Sequence, residues 1–433
     1  MDQLNLFPNM NTEVFSKLTS AELLEKNKYL LTFDLTNELL IKKDKVLYSE
    51  EFVECINEMD FKDYVFAYFL KLEISVETYL ASFKPIHDEG TYHCTLIPLD
   101  EYKQMVHKDD CYKATVYYVE GSIKQKVYYI KWSNKCESIR ESHVELPLVS
   151  SKKEMSTLLN GVLEEVNIKA FHVLDVGQGS SNIINYENGE GEEKYLFYDI
   201  GISLHSTRDP DYSRYMGLYE SISFDIFNTL IISHWHEDHF LGIFLDQSGE
   251  LFKKTWVVTE CSGTWNAKRL CYINSLCGNL MMIDNGLTGL LYENTNLSIY
   301  KGEQPKKKSI GYRNGSGLYL YFKKGSDNLL ALGDVPYDYA QSLLTKSNSR
   351  SLKVDTLIVP NHGSILQGNF IEPRLSMKTA GFDISNAVIS AGVTSSQHPN
   401  YETLSELFAK GFNTLRTDVE CKVFNEKDIT IEF

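Results

Sequence analysis

The second half of the chain is built from short apolar runs, each of which leads to a polar residue able to take part in chemistry. The runs AFHVL, KYLFY, NTLII, NLLAL, DTLIV and NAVIS lead in turn to Asp175, Asp199, His234, Asp334, His362 and His398. Apolar runs without alternation are typical of strands buried on both faces, as in layered α/β folds. Open α/β sheets bind their ligands at the edge where such strands end. The sequence therefore predicts a layered α/β domain with its functional groups along one edge.

One of these runs leads into a dense group of metal-binding side chains, the segment SHWHEDH at 233–239. It follows the pattern H-x-H-x-D-H and places His234, His236, Asp238 and His239 close together, although the whole chain has only 11 histidines. Imidazole nitrogens and carboxylates are the usual ligands of Zn²⁺ and similar cations. A chance polar turn is the alternative, and the position of the whole cluster directly after a buried strand disfavours it. With the other strand ends, the group would suffice for two metal ions about 3.5–4 Å apart.

Composition sets the class of protein and limits its partners. The 433 residues suggest two domains, and the 43% hydrophobic and 24% charged residues are ordinary for a soluble globular protein. A net charge of −16 argues against a broad nucleic-acid surface, but metal ions could still supply positive charge locally to a nucleic-acid substrate. The first residues do not resemble a signal peptide, no apolar run could span a membrane, and the eight cysteines are scattered. We therefore expect a cytoplasmic protein with free thiols and no membrane contact.

Residues 1–160 are expected to form an N-terminal α+β domain, and residues 161–433 the domain that carries the chemistry. In the first domain, SAELLEKNKYLL (20–31) and the stretch 59–83 have helix-like apolar spacing, whereas 111–132 indicates a β-hairpin. Near the boundary, Ser151 and Glu154 form a capping box that predicts the start of a helix. The first domain contains no cluster of catalytic residue types, so we expect it to recruit a substrate or a partner protein or to regulate the second.

The motifs of the second domain resemble those of one superfamily. H-x-H-x-D-H is the signature of the metallo-β-lactamase fold hydrolases. The surrounding motifs are similar to those of one branch, the C-terminal metal-dependent domain of the ComEC competence proteins and its soluble relatives. They are FHVLDVGQGSS, YDIG, LLALGD, VPNHGS, VISAGVTSSQHPN and LRTDVECKVF, in the same order. The resemblance covers roughly residues 168–433 and implies an αββα sandwich.

The resemblance also implies a binuclear site with two divalent metal ions, Zn²⁺ or Mn²⁺. The expected ligands are His234 and His236 for the first ion, Asp238, His239 and His362 for the second, and Asp334 as a bridge between them. Water bound between the ions would lose a proton near neutral pH and attack as a metal-bound hydroxide. Asp238 and Asp334 would therefore be catalytic residues as well as metal ligands.

Three further residues are candidates near the metals, and each has a plainer interpretation. Asp199 would accept a proton from a ligand histidine, or would cap a turn. His398 would be catalytic, by contacting phosphate or protonating the leaving group, or would merely begin a helix before Pro399. Ser364 would contact phosphate, or would cap a turn.

The sequence departs from the superfamily pattern at two ligand positions. Asn361 replaces the first histidine of the branch's H-H-G-S motif, which leaves His362 as the ligand. Asn314 stands where many superfamily nucleases have a further histidine, as is usual in this branch. A first site that lacks one imidazole is more open and harder in character. It leaves the metal undecided between zinc and manganese, and it leaves coordination positions for water or substrate.

These features lead to three hypotheses for the function. The first is a metal-dependent phosphodiesterase, a nuclease acting on DNA or RNA, whose partner is nucleic acid or another phosphodiester substrate. The second is a small-molecule hydrolase that uses the same metals on a cyclic nucleotide, lactone, thioester or lactam. The third is an interaction protein that keeps the fold without activity. The retained ligands argue against the third, because buried charges are costly to keep.

Overall fold

The computed structural model describes most of the chain in two compact units. The described residues are 12–24, 28–49, 61–78, 91–108, 111–135, 144–163, 166–202, 204, 212–261, 264–303, 312–325, 327–337, 340, 354–364, 385–391, 399–409, 411–417 and 428–433. The first unit consists of residues 1–146 with 261–276, and the second of 147–260 with 277–433. The predicted division placed residues 261–276 in the second domain. In the structure they belong to the N-terminal unit.

The first unit contains a closed barrel of six antiparallel strands. The strands are β1 (Thr12–Leu24), β2 (Lys28–Thr36), β3 (Ala67–Ser75), β4 (Thr91–Pro98), β5 (Cys111–Val119) and β6 (Ile123–Lys135). Their order around the barrel is β1-β2-β3-β5-β6-β4. The helices of this unit are α1 (Glu38–Leu47), α2 (Leu99–Gln104) and, from later in the chain, α6 (Trp265–Cys277). The hairpin expected at 111–132 is confirmed, with Val119 of β5 opposite Ile123 of β6.

The barrel corrects the prediction of an N-terminal α+β domain. Where the structure describes them, the two segments expected as helices, 20–31 and 59–83, lie mainly in strands β1, β2 and β3, and only the short stretches 61–64 and 76–78 are helical. Both β2 and β3 are buried along nearly their whole length, including Lys71 in the middle of β3. A continuous apolar run contains the helical spacing as well as the strand spacing, so periodicity alone did not separate the two.

The second unit contains two sheets in its described residues. The first has eight strands in the order β21-β8-β9-β10-β11-β12-β13-β7, and the second has seven in the order β14-β15-β16-β17-β18-β19-β20. The strands of the first are β7 (Leu148–Val149), β8 (Asn167–Val173), β9 (Ser181–Glu187), β10 (Glu193–Ile200), β11 (Phe227–Ile232), β12 (Thr255–Thr259), β13 (Asn279–Ile283) and β21 (Ile429–Glu432). The strands of the second are β14 (Gly289–Glu293), β15 (Leu297–Lys301), β16 (Leu318–Lys324), β17 (Asp327–Ala331), β18 (Thr356–Ile358), β19 (Asn386–Ile389) and β20 (Asn413–Arg416).

One core lies between the two sheets. The rings of Phe171 in β8 and Phe322 in β16 meet across it, with centroids 6.1 Å apart. The hydroxyl of Tyr198 in β10 donates to the carbonyl of Leu318 at 2.9 Å. Helix α3 (Lys152–Leu163) adds its buried Met155, Leu159 and Leu163 to the same core. This helix confirms the predicted start, because the Ser151 hydroxyl accepts from the backbone N–H of Glu154 at 3.5 Å.

The described residues of the second unit include four further α-helices. Helices α4 (Ser213–Ser221) and α8 (Tyr401–Ala409) pack against the sheets, whereas the short helices α5 (Glu237–Phe240) and α7 (Tyr312–Gly315) lie in the loops at the strand ends. On the first sheet, Tyr219 of α4 packs toward Phe224, which contacts Phe197 of β10. On the second sheet, Leu407 of α8 is buried in a separate apolar cluster. The predicted mixed α/β architecture is therefore confirmed for the second unit. Within the described residues, no helix is both long enough and apolar enough to cross a membrane.

Candidate metal centre

The candidate site lies along one edge of the sandwich, where parallel strands of both sheets end. β10 ends one residue after Asp199, and Ser233 and His234 follow β11. In the second sheet, β17 and β18 lead to Asp334 and His362. The pairs β10–β11 and β17–β18 are both parallel, so the ends of each pair meet at one edge. Side chains that are up to 163 positions apart in the sequence are thereby brought together.

Asp199 is the anchor beneath this edge. It is fully buried, and its backbone takes the left-handed conformation with φ of 59°. One carboxylate oxygen accepts from the backbone N–H of Ser233 at 2.7 Å. The other accepts from the hydroxyls of Ser233 and Ser180 and lies 2.8 Å from Nδ1 of His239. The arrangement fixes the end of β11 and turns Nε2 of His239 toward the centre.

A close backbone approach fixes Asp238. Its carbonyl oxygen accepts from the backbone N–H of Ser180 at 2.8 Å, and Gly201 N–H donates to the carbonyl of Ser180 at 2.7 Å. A Cβ atom placed on Gly201 would lie only 1.6 Å from the Asp238 carbonyl oxygen. Only glycine therefore permits this packing, which sets the height of the Asp238 carboxylate above the sheet edge.

The ligand-type atoms of five residues converge within a few ångströms. Nε2 of His234 lies 3.5 Å from Oδ2 of Asp334, and Nε2 of His239 lies 3.3 Å from Oδ1 of the same carboxylate. Nε2 of His362 lies 3.2 Å from Oδ2 of Asp238, and Nε2 of His239 lies 3.9 Å from Oδ1 of Asp238. Two groups therefore have all their ligand atoms within 4.8 Å of one another: His234, His239 and Asp334, and Asp238, His239 and His362.

These atoms fit a divalent cation. Nε2 of His234, His239 and His362 and Oδ1 of Asn314 are all buried and have no hydrogen-bond partner among the described residues. Burying a polar atom without a partner costs about 1–3 kcal/mol, and three such atoms face two carboxylates here. Nitrogen and carboxylate donors in this proportion are typical of Zn²⁺ and Mn²⁺ sites. A cation would satisfy the imidazoles and the carboxylates together.

The charges of the centre act strongly on one another. Burial lowers the pKa of His234, and the neighbouring His239 and His236 lower it further. Burial also opposes the charged form of His239, but Asp334, Asp199 and Asp238 outweigh it and hold the pKa of that imidazole well above its usual range. Burial likewise opposes ionisation of Asp334, but His239 and His234 together lower its pKa. The carboxylates therefore favour the protonated form of His239, and a cation bound at Nε2 would compete with that proton.

Two of the predicted site residues, the expected ligand His236 and the neighbouring candidate Asn314, lie differently from the rest. The His236 ring is buried beside His234, with centroids 4.5 Å apart, but His236 does not belong to either tight group. Asn314 lies at the centre and donates from Nδ2 to Oδ2 of Asp334 at 3.3 Å. Trp235, between the two histidines, donates from its indole to the carbonyl of Thr259 at 2.7 Å and so ties the loop to the end of β12.

The motif after β18 has an unusual backbone. Asn361 and His362 both have positive φ, 48° and 53°, a conformation that side chains other than glycine rarely adopt. The backbone N–H of Asn361 donates to Oδ1 of Asp334 at 3.1 Å, and Nδ1 of His362 lies 3.2 Å from the carbonyl of Ser390. Strained residues of this kind cluster at functional sites. The buried hydroxyl of Ser364 follows, without a hydrogen-bond partner in the protein. His398 lies outside the described residues.

Sequence reasoning missed Ser180 and Ser233 as parts of the site. Their hydroxyls both donate to Asp199, and Ser233 also lies 3.1 Å from Nδ1 of His234 and 3.2 Å from Nδ1 of His239. The only available signal was position, since Ser233 stands directly before the histidine cluster and Ser180 directly follows a glycine-rich turn.

Comparisons with known proteins give similarity to solved structures only. No family model matches the sequence, and no curated protein matches it. A CmlA β-hydroxylase mutant is similar with a TM-score of 0.33 and 12% identity, over 61% of this chain and only 54% of its own length. The metallo-β-lactamase fold protein YhfI from Bacillus subtilis has a TM-score of 0.36 and 11% identity, over 61% of this chain and 100% of its own. Tm1679, a metal-dependent hydrolase of the β-lactamase superfamily, has a TM-score of 0.36 and 13% identity, over 61% and 99%.

TM-scores below 0.5 support no conclusion about activity or metal. The structures similar to this chain nevertheless include metallo-β-lactamase fold proteins and metal-dependent hydrolases.

Proposed function

We propose that the protein is a metal-dependent phosphodiesterase whose substrate is a nucleic acid. The observation that carries the proposal is the group of three buried imidazole Nε2 atoms without hydrogen-bond partners, facing the carboxylates of Asp238 and Asp334. We further propose that the second unit is a metallo-β-lactamase-type αββα sandwich of the ComEC branch. Its motif order and its two facing sheets support this assignment. The free thiols of the five described cysteines support a cytoplasmic location.

The side chains of the centre divide into two sets under this proposal. Asp238, His239 and His362 would hold one Zn²⁺ or Mn²⁺, and His234 and His236 would hold a second, with Asp334 between them. The ions would supply an activated water and positive charge at the attacked phosphorus. Asp199 holds Nδ1 of His239 and so keeps Nε2 aimed at the metal. Asn314 leaves the first site more open than a third imidazole would.

A phosphodiester suits this centre because its anionic charge matches a site of divalent ions. The buried hydroxyl of Ser364 follows the His362 turn and has a free donor for a phosphate oxygen. The second candidate, a small-molecule hydrolase, is favoured by one observation, the net charge of −16, which would repel a polyanion at long range. The two candidates differ in substrate and share the same ligands.

The experiment compares substrates on metal-loaded protein. Protein loaded with Mn²⁺ or Zn²⁺ is incubated with bis(p-nitrophenyl) phosphate, single-stranded DNA and RNA, and in parallel with a lactone and a thioester. We expect cleavage of the phosphodiesters, abolished by chelation and by His239→Ala. The matched control is His172→Ala, which removes a histidine of β8 that contacts Thr430 of β21, three strands away from β11 in the first sheet, and should keep full activity. Opening of the lactone or thioester with no cleavage of any phosphodiester would instead establish the second candidate.

A further inference from the structure

Lys301 is a buried cation at the same sheet edge as the metal centre. It is the last residue of β15, and it shares a face with Leu297 and Ile299, whose side chains belong to the core between the sheets. Its side chain therefore enters the layer between the two sheets. The ends of β12 and β13 lie along this edge in the facing sheet, and they are followed by Glu260 and Asp284.

The ammonium group of Lys301 is buried, and among the described residues it has neither a hydrogen-bond acceptor nor an ion-pair partner. The residue is 0% exposed, and Nζ is buried with no hydrogen-bond partner in the part of the chain that the structure describes. Asp284 and Glu260 are the charged groups that act on it, and neither forms an ion pair with it. Isolated buried ammonium groups are among the costliest features of a protein interior. Burial accordingly lowers the pKa of Lys301 to about 8, against the opposing effect of the two carboxylates.

A rigid backbone connection places Lys301 near the metal ligands. Lys301 pairs with Leu318 of β16, whose backbone N–H donates to the carbonyl of Ser233 at 2.8 Å. The next residue, Gly302, donates to the carbonyl of Gly317 at 2.9 Å. A Cβ atom on Gly302 would lie 1.9 Å from the Gly315 carbonyl oxygen, beside Asn314, which bonds to Asp334. One strand, β16, separates β15 from β17, so the two strand ends lie about 10 Å apart.

We propose that Lys301 binds a second phosphate of the substrate, next to the phosphate that is cleaved. The inference rests on the proposed phosphodiesterase function and defines its substrate class as polynucleotides, which carry a flanking phosphate at every position. A buried ammonium group with three unused N–H donors can donate strong, charge-assisted hydrogen bonds to the oxygens of an anion. Because Nζ is covered in this structure, the side chain or the segment over it must move as the phosphate enters.

The direct test measures binding with the metal removed. A short fluorescent oligothymidylate is titrated into chelator-treated protein at low salt, and Lys301→Met is compared with wild type. We expect the variant to bind about tenfold more weakly, a difference of about 1.4 kcal/mol. The matched control is Lys323→Met, which removes a lysine of neighbouring β16 that is paired with Glu293 and should bind like wild type. Equal affinities of Lys301→Met and wild type would overturn the inference.

A second measurement uses wild-type protein alone. Its affinity for the oligonucleotide should fall as the pH rises through about 8, because the Lys301 amine then loses its charge, and the fall should be absent in Lys301→Met. The groups that face this amine, Asp284 and Glu260, are both carboxylic acids. A flat wild-type profile in this range would also contradict the proposal.

Turnover separates this inference from the proposed function. With metal restored, Lys301→Met should lose about tenfold in kcat/KM on the oligonucleotide and nothing on bis(p-nitrophenyl) phosphate, which has no second phosphate. A purely structural role would reduce both rates equally. Lysine-dependent binding of the oligonucleotide without any cleavage would refute the phosphodiesterase and leave the anion subsite established.

Discussion

Asp334 is the residue that links the two histidine groups of the centre. Its two oxygens lie near Nε2 of His234 and of His239, and one of them also accepts from the backbone of Asn361. In Asp334→Ala, two cations would face each other with less negative charge between them. We expect loss of at least one metal ion per chain and a fall in turnover of about 10³-fold or more. Elemental analysis beside the rate on bis(p-nitrophenyl) phosphate checks this, and a variant with both metals and full rate would refute the bridging role.

Asn314 sets the character of the more open half of the centre. Its Oδ1 is buried and without a partner, and its Nδ2 bonds to Asp334. Asn314→His would add an imidazole and should shift the metal preference from Mn²⁺ toward Zn²⁺. Asn314→Ala should be milder than loss of Asp334, because an amide oxygen is at best a weak, neutral ligand. Competition between the two ions, read by metal content, tests the shift; an unchanged Mn²⁺-to-Zn²⁺ ratio in Asn314→His would count against this placement.

At the scale of single residues, sequence reasoning found what is local and left open what is remote. His234, Asp238 and His239 could be predicted to lie together because they stand within one short loop. The role of Asp199 could not be decided, because Ser233 and His239, which it bonds, lie more than 30 positions further along the chain. The left-handed backbone and the burial of Asp199 also cannot be recognised from the sequence, because an aspartate at this position suits an exposed turn equally well.

Gly201 shows how one element positions another. The turn after β10 presses against the metal loop so closely that a methyl group at residue 201 would overlap the Asp238 carbonyl oxygen. Gly201→Ala must push Asp238 away from the edge, and we expect metal affinity to fall by at least about tenfold. Gly161→Ala is the control, since nothing lies within 4 Å of its added Cβ in helix α3. That change should raise the free energy of unfolding by about 0.5–1 kcal/mol and leave metal binding alone.

Both effects can be read from one pair of experiments, denaturant unfolding and a metal titration. Wild-type metal affinity in Gly201→Ala would mean that the loop can relax without moving its ligands.

The secondary structure elements were predictable where length and flanking residues agreed with the periodicity. Helix α3 was found because Ser151 and Glu154 mark its start. Strand β3 was taken for a helix, because six of the nine residues in AYFLKLEIS are apolar and its first six positions are buried or half-buried without alternation. Propensity does not distinguish a long buried strand from a helix, and only pairing with β2 and β5 decides it.

The two compact units suggest where the molecule can be divided. A chain that begins at Pro147, with a flexible linker of equal length in place of 261–276, should fold and bind metal as the full protein does. A chain that begins at residue 160 removes Met155 and Leu159 from the core and should be less stable by about 3–6 kcal/mol. Denaturant unfolding and elemental analysis compare the two. A folded chain from Pro147 without metal would show that the ligand set is wrong or incomplete.

Residues 261–276 belong to the first unit, although residues 147–260, directly before them, belong to the second. This arrangement determines when the first unit can finish folding during synthesis on the ribosome. The barrel strands emerge first, but their unit is complete only when residue 276 has been added, roughly 130 residues after residue 146. At about 5–20 residues per second, the nascent barrel waits on the order of ten seconds for its last helix. During that interval β7 to β12 of the second unit are synthesised, and they must not pair with the unfinished barrel. The first unit can therefore complete its fold only after much of the second unit has been synthesised. Slowing translation between residues 146 and 276 should lengthen the time for which the incomplete barrel is exposed to chaperones and proteases.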